Sequence, residues 1–212
     1  MADEKNGAIQ ERIETIRLFV GIVLPDAARD RLREISARLR SSAERARVHA
    51  SWERPEKMHI TVKFLGAFPA DEVARLSASL DAATAAHAPF EAELDAVGSF
   101  PPNRPPRVIF AAVGQGAAPL AALAADIDAA CASLGVPREA RRFHGHVTLA
   151  RVKSAPRSLR VVDLLPADLA LRERVPVGEI VLFRSELGRG GSTHHVLSRH
   201  PLIRDIRNVP AT

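Results

Sequence analysis

The 212-residue chain has no tyrosine and one tryptophan, Trp52, and aromatic residues make up only 4% of it. Proteins that hold long single strands stack unpaired bases on many rings. Here any nucleic acid should instead be gripped locally, at one terminus. There is one cysteine, Cys131, so no internal disulfide can form and nothing points to an oxidising compartment. No stretch approaches the roughly 20 apolar residues of a membrane span, and the opening MADEKNGAIQERIET lacks the apolar segment of a secretory signal. These gaps predict a cytoplasmic protein without membrane contact. Residues 1–14, charged and without periodic apolar positions, read as a disordered leader, which leaves 15–212 as one domain.

What is present is ordinary for a soluble globular chain, with 46% hydrophobic and 26% charged residues. The 30 Lys and Arg against 25 Asp and Glu leave +5, and Arg far outnumbers Lys. That bias favours phosphate-bearing ligands, although so small a surplus is equally the mark of a plain solvated surface.

Two stretches organise the rest: His59-Ile60-Thr61-Val62-Lys63-Phe64-Leu65-Gly66 and His146-Val147-Thr148-Leu149-Ala150-Arg151. Each has the form His, apolar, Thr, apolar, and each reads as a half-buried strand whose side chains alternate between two faces. Strict alternation puts His59, Thr61 and Lys63 on one face, with Ile60, Val62 and Phe64 opposite. It likewise groups His144, His146 and Thr148, and sends Arg151 to the other side.

Along the chain, Arg17–Pro25 reads as a central strand. Asp26 is placed to cap a helix through about Ala46, with Ala27, Leu32, Ile35 and Leu39 at helical spacing. The first His strand is expected to stop at Gly66. A second amphipathic helix spans Asp71 to about Ala86 on Val73, Leu76 and Leu80. Phe90–Phe100 alternates like an edge or half-exposed strand, PPNRPP is a stiff loop, Arg107–Val113 is a buried strand, and Ala117–Leu134 is a helix. Strand, helix, His strand thus occurs twice, a weak internal repeat. A short helix over residues 163–173 and a hairpin turning at Gly188-Arg189-Gly190-Gly191 complete the reading, and the GRGG turn is structural. The fold class is α+β, two sheets facing each other across a groove.

Histidine titrates near neutrality, so two of them can hold opposite protonation states and act as base and acid in one displacement. A threonine two residues on can donate to a phosphoryl oxygen, and a nearby Arg can stabilise developing negative charge. One His-x-Thr alone would be an ordinary surface or core histidine; two in matching contexts are not. The His144/His146 pair also has a spacing that metal sites use, but neither His strand carries the carboxylates that hard-metal sites for phosphate hydrolysis need. His194 and His195 are adjacent and point apart, so at most one can serve the cleft.

On these residues, and on RLFVGIVLP, RPEKMHITVKFLG, PRVIFAAVG, FHGHVTLARVK and LGRGGSTHHVLSRHPL, the chain resembles the two-histidine (2H) phosphoesterases. Within them it resembles the RNA 2',3'-cyclic phosphodiesterases, or 2'-5' RNA ligases. The resemblance implies a bilobal α+β fold of two antiparallel-rich sheets with outer helices and pseudo-twofold symmetry, and a monomer that needs no metal or cofactor. The implied substrate is RNA with a 2',3'-cyclic phosphate end, such as a tRNA fragment, or else a nucleotide cyclic phosphate. Hydrolysis to a 2'-phosphomonoester, with reversible 2'-5' joining of RNA ends, is the implied chemistry. His59 and His146 match the catalytic pair, Thr61 and Thr148 the phosphate-binding hydroxyls, Arg151 a phosphate-binding arginine, and Phe64 an aromatic near the terminal base. The resemblance leans towards His146 as base and His59 as acid, roles the sequence does not separate. Alternation sets Arg151 and Phe64 on the wrong face, and a bulge could bring either round. Relatives often carry a tyrosine after the GGS stretch, where this chain has Thr193, His194 and His195. A noncatalytic nucleotide-binding module is the remaining alternative.

Overall fold

Runs of alternating apolar residues become strands here, and the helices between them supply the apolar stripes that cover one sheet face. The computed structural model describes residues 14–188 and 191–203. The leader read over 1–14, Glu14 excepted, and the Arg189-Gly190 tip of the hairpin lie outside the described residues.

In chain order the elements are β1 (Thr15–Val23), α1 (Asp26–Arg45), β2 (His49–Trp52), β3 (His59–Pro69), α2 (Val73–Thr84), β4 (Phe90–Phe100), β5 (Val108–Val113), α3 (Ala117–Ala132), β6 (His146–Ser154), β7 (Glu173–Val177), β8 (Glu179–Gly188) and β9 (Gly191–Pro201). The strands are ordered β7-β4-β5-β6-β3-β1-β8-β9, with β2 also on β6, and every pairing is antiparallel. The two expected sheets are two halves joined between β3 and β6 by one pair, Ile60 with Val147. A pseudo-twofold relation at that join exchanges β3 with β6, β1 with β5 and β8 with β4.

Helices lie on the side of the sheet away from the histidines. They cross over: α1, which follows β1, packs on β2, β6 and β7 of the other half, whereas α3, which follows β5, packs on β3 and α2. Leu32, Ile35 and Leu39 of α1 and Leu120, Leu123 and Ile127 of α3 are fully buried in one continuous core with Ile60, Val147 and Leu149.

Several local expectations need correction. Pro25, not Asp26, occupies the N-cap of α1, and its carbonyl accepts the Arg29 backbone N–H at 3.1 Å. Asp26 sits in the first turn, where the helix dipole favours a carboxylate, and pairs with Arg29. Ala28 rather than Ala27 is buried. Strand β3 does not stop at Gly66 but runs to Pro69, because Gly66 takes φ +73° and lets the ladder turn without breaking. β4 is half-exposed yet not an edge, since β7 pairs outside it. In place of a helix over 163–173 there is a single 3₁₀ turn at Val161–Leu164, and the chain then extends into β7.

Candidate active site

The two His-x-Thr strands lie side by side. Antiparallel pairing of Ile60 with Val147 puts His59 beside Thr148 and Thr61 beside His146, all on the helix-free face. Each imidazole is held the same way: His59 Nδ1 donates to the Lys57 carbonyl at 2.7 Å, and His146 Nδ1 donates to the His144 carbonyl at 2.7 Å. A carbonyl can only accept, so the proton of each neutral ring sits on Nδ1 and each Nε2 is free to take one. Thr61 donates its hydroxyl to His59 Nε2 at 3.0 Å.

Strict alternation fails in both strands at the same place. Opposite β1, Val20 pairs with Lys63 but Gly21 with Thr61, so Val62 is an extra, bulged residue. Opposite β5, Ile109 pairs with Ala150 but Phe110 with Thr148, so Leu149 is bulged. One inserted residue reverses the facing of everything after it. Phe64 and Arg151, each five residues after its histidine, therefore return to the His face. Phe64 is 64% exposed with its ring centroid 6.0 Å from that of Phe19. The Arg151 charge acts on both His59 and His146. The same bulge overturns the placement of Lys63, which is buried on the helix side. There its ammonium donates to Asp128 Oδ1 at 2.6 Å and to the Pro137 carbonyl at 2.7 Å.

Phenylalanines floor the cleft, and the sequence reading missed most of them. On one side Phe19 stacks on Phe183 at 4.9 Å and lies 4.8 Å from the His59 ring, forming a small cluster with Val181 apart from the main core. On the other side Phe100 and Phe110 lie 5.2 and 5.1 Å from His146. Glycines make the room. A Cβ on Gly98 would come within 2.8 Å of the Phe110 ring, and one on Gly21 within 3.3 Å of His59 Cδ2. Of the adjacent pair near the C-terminus, His194 is the one that faces the cleft, edge-on to His59 at 5.6 Å, with its Nδ1 buried and unpartnered; His195 lies beside Glu186. Alternation said one of the two could serve, and the register of β9 on β8 chooses it.

This setting keeps the rings neutral. Burial, reinforced by the charges of His194, His146 and Arg151, pushes His59 down to about 4 against the pull of the Lys57 carbonyl. Burial also lowers His146, with His144 and Arg151 adding to it, and lowers His194, with Lys57 adding to it. An anion placed among these groups would reverse the trend by favouring the protonated rings. Among the described residues no group of three or more His, Cys, Asp or Glu is arranged to hold a metal ion.

A single helix-free cleft where two imidazoles meet two hydroxyls and an arginine defines a phosphoester-handling class. Residues 22–110 and 112–194 match the family model described as LigT like Phosphoesterase, and the chain belongs to that family. It is 34% identical over 163 residues to the RNA 2',3'-cyclic phosphodiesterase of Aeropyrum pernix, covering 76% of this chain and 91% of that one. It is 32% identical over 194 residues to the enzyme of the same name from Thermus thermophilus, covering 88% and 90%. Among solved structures, TT0787 of Thermus thermophilus superposes with a TM-score of 0.73 at 30% identity, over 89% of this chain and 98% of that one. E. coli LigT complexed with 3'-AMP superposes at 0.65 with 24% identity, over 90% of this chain and 100% of that one, a likeness of fold.

Proposed function

We propose that the chain is a metal-independent RNA 2',3'-cyclic phosphodiesterase that opens the terminal cyclic phosphate to a 2'-phosphomonoester. The observation that carries the reading is the matched pair of histidines, each with Nδ1 tied to a backbone carbonyl and Nε2 turned into one cleft. The relatives' names supply the substrate class.

The non-bridging phosphate oxygens accept from Thr61, Thr148 and Arg151. His146 Nε2 takes a proton from water as the water oxygen bonds to phosphorus opposite the 3'-oxygen. The P–O3' bond breaks, and protonated His59 gives its Nε2 proton to the departing 3'-oxygen. The cyclic phosphate anion makes this proton available, because its charge opposes the burial that holds His59 neutral in the free protein. Thr61, which donates to His59 Nε2 when the site is free, turns its hydroxyl to the phosphate. Phe64 lies beside the terminal base. The assignment of His146 as base and His59 as acid follows the family resemblance.

If an RNA 5'-hydroxyl replaces water, the same steps join two ends by a 2'-5' bond, and their reverse cleaves it. Water, at roughly 55 M, outcompetes a dilute RNA end, so hydrolysis dominates. Both histidines come from one chain, so a monomer suffices, acting in the cytoplasm on ends such as those of tRNA fragments. The test is an RNA ending in 2',3'-cyclic phosphate, incubated with the protein in chelator. A 2'-monophosphate product supports the reading, and a 3'-monophosphate overturns the leaving group. Activity lost to chelator and restored by zinc overturns the metal-free route.

A further inference from the structure

One flank of the cleft carries positive charge that the fold leaves uncompensated. A cavity of about 1260 Å³ begins at Thr61 and His146 and continues between the proline-rich loop before β5 and the segment before β6. It exceeds the roughly 300–1,000 Å³ of a small-molecule pocket, so a terminal nucleoside cyclic phosphate would fill only part of it.

Arg104 and Arg107 line one wall and Arg141 and Arg142 the other, all four exposed or partly so. None of the four forms an ion pair among the described residues. The two wall acids do not neutralise them. Asp128 is taken by Lys63 at 2.6 Å, and the Glu139 carboxylate accepts the Arg141 backbone N–H at 3.3 Å. Elsewhere arginines are mostly compensated. Arg31 and Arg33 of α1 pair with Glu34 and Asp30, and Arg184 and Arg199 of the β8–β9 hairpin pair with Glu186 and Glu179. Phe64, Phe100 and Phe143 stand along the same walls, so guanidinium and ring surfaces alternate over one path. Cations that track a backbone, together with rings that take base faces, are the means by which single strands are held.

The opposite flank offers no such exit. Lys57 Nζ donates to the Ser192 carbonyl at 2.5 Å and His194 packs edge-on against His59, tying the hairpin over that side.

We propose that this cavity is the path of the RNA strand on the 5' side of its cyclic terminus, so that the protein reads several nucleotides of single-stranded RNA rather than the terminal one alone. The inference rests on the phosphodiesterase reading and specifies its substrate. Four uncompensated guanidiniums match the successive phosphates of a strand whose last phosphate lies at Thr61 and His146. Duplex RNA would not enter, because its bases are not free to meet the rings.

The test compares kcat/KM for a mononucleotide 2',3'-cyclic phosphate with that for oligonucleotides of two to five residues bearing the same end. The wild type, Arg104→Ala/Arg107→Ala, Arg141→Ala/Arg142→Ala and an Arg33→Ala control on α1 are compared, with circular dichroism confirming folding. In the wild type kcat/KM should rise with length by about tenfold or more and then level off. Each double variant should lose most of that long-to-short ratio, and Arg33→Ala should keep it. The wild-type dependence of log kcat/KM on log salt should steepen by about −0.7 per phosphate contact and flatten in the double variants. A wild-type ratio near one, or double variants that keep the full ratio, overturns the proposal. So does a loss confined to ligation yield with an added 5'-hydroxyl oligonucleotide, which would assign the groove to the incoming strand. Failure of the wild type to open any cyclic end sinks the phosphodiesterase reading instead. In that case anisotropy with 2'-phosphate-ended oligonucleotides still tests the groove: length-dependent binding lost in the double variants sustains it, and length-independent binding overturns it.

Discussion

At the scale of single residues, the site is governed by which nitrogen of each ring carries the proton. The carbonyls of Lys57 and His144 fix that for His59 and His146, so replacing either histidine removes a proton-transfer step without disturbing the sheet. His59→Ala and His146→Ala should each lower kcat by about 10²–10⁴-fold. The double variant should be little worse than either alone, since the pair acts as a unit; single-turnover assays read both. The pH dependence follows from the environment. Both rings are pushed below 6.5, His59 to about 4, and the working form carries one proton between them. The bell of kcat/KM, which reports the free protein, should therefore centre on the acid side of 6.5. Bound phosphate favours protonated imidazole, so the kcat bell should shift to higher pH. A kcat optimum below that of kcat/KM would contradict the sign. The His pair and both threonines were legible in the sequence because residues two apart share a strand face whatever the neighbours do.

At the scale of elements, the bulges at Val62 and Leu149 decide the site's composition. They bring Phe64 and Arg151 to the histidines and send Lys63 behind the sheet. Alternation could not place them, because an inserted residue is a property of two strands in register. The phenylalanine floor escaped notice for the same reason: Phe19, Phe183 and Phe110 lie in strands that read simply as buried, and only cross-strand neighbours show which face each takes. Gly98 tests this arrangement. A Cβ there would lie 2.8 Å from the Phe110 ring, which in turn lies against His146, so Gly98→Ala should cut kcat several-fold while the chain stays folded. Asp128→Asn tests the other face. It would leave the Lys63 ammonium, 6% exposed, without its carboxylate, and should cost about 3 kcal/mol in urea unfolding. Although its partial burial opposes this, the Lys63 bond and the Glu139 backbone N–H hold Asp128 below the usual carboxylate range. The wild type therefore keeps this contribution at neutral pH and loses it only as pH falls below about 4 towards that lowered value.

At the scale of the whole molecule, the halves are tied together less by the sheet than by the crossed helices. One residue pair, Ile60 with Val147, joins β3 to β6, while α1 and α3 each brace the half built around the other's strand. Neither half can lose its helix without uncovering the other's core, so unfolding should be a single event. Trp52, on β2 beside β6, is the only tryptophan and reports one half. Its fluorescence transition in urea should coincide with that of circular dichroism, and separated midpoints would show independent halves. The sequence by itself determined what depends on near neighbours: the two His-x-Thr faces, the amphipathic helices and the doubled strand-helix-strand plan. Only the tertiary structure decided what depends on register between distant strands. That register set where each strand bulges, which of two adjacent histidines faces the cleft, which rings floor it, and where arginines remain uncompensated. The physical reason is that side-chain alternation is fixed by local backbone geometry, whereas bulges, and the contacts they redirect, exist only once a second strand is hydrogen-bonded alongside.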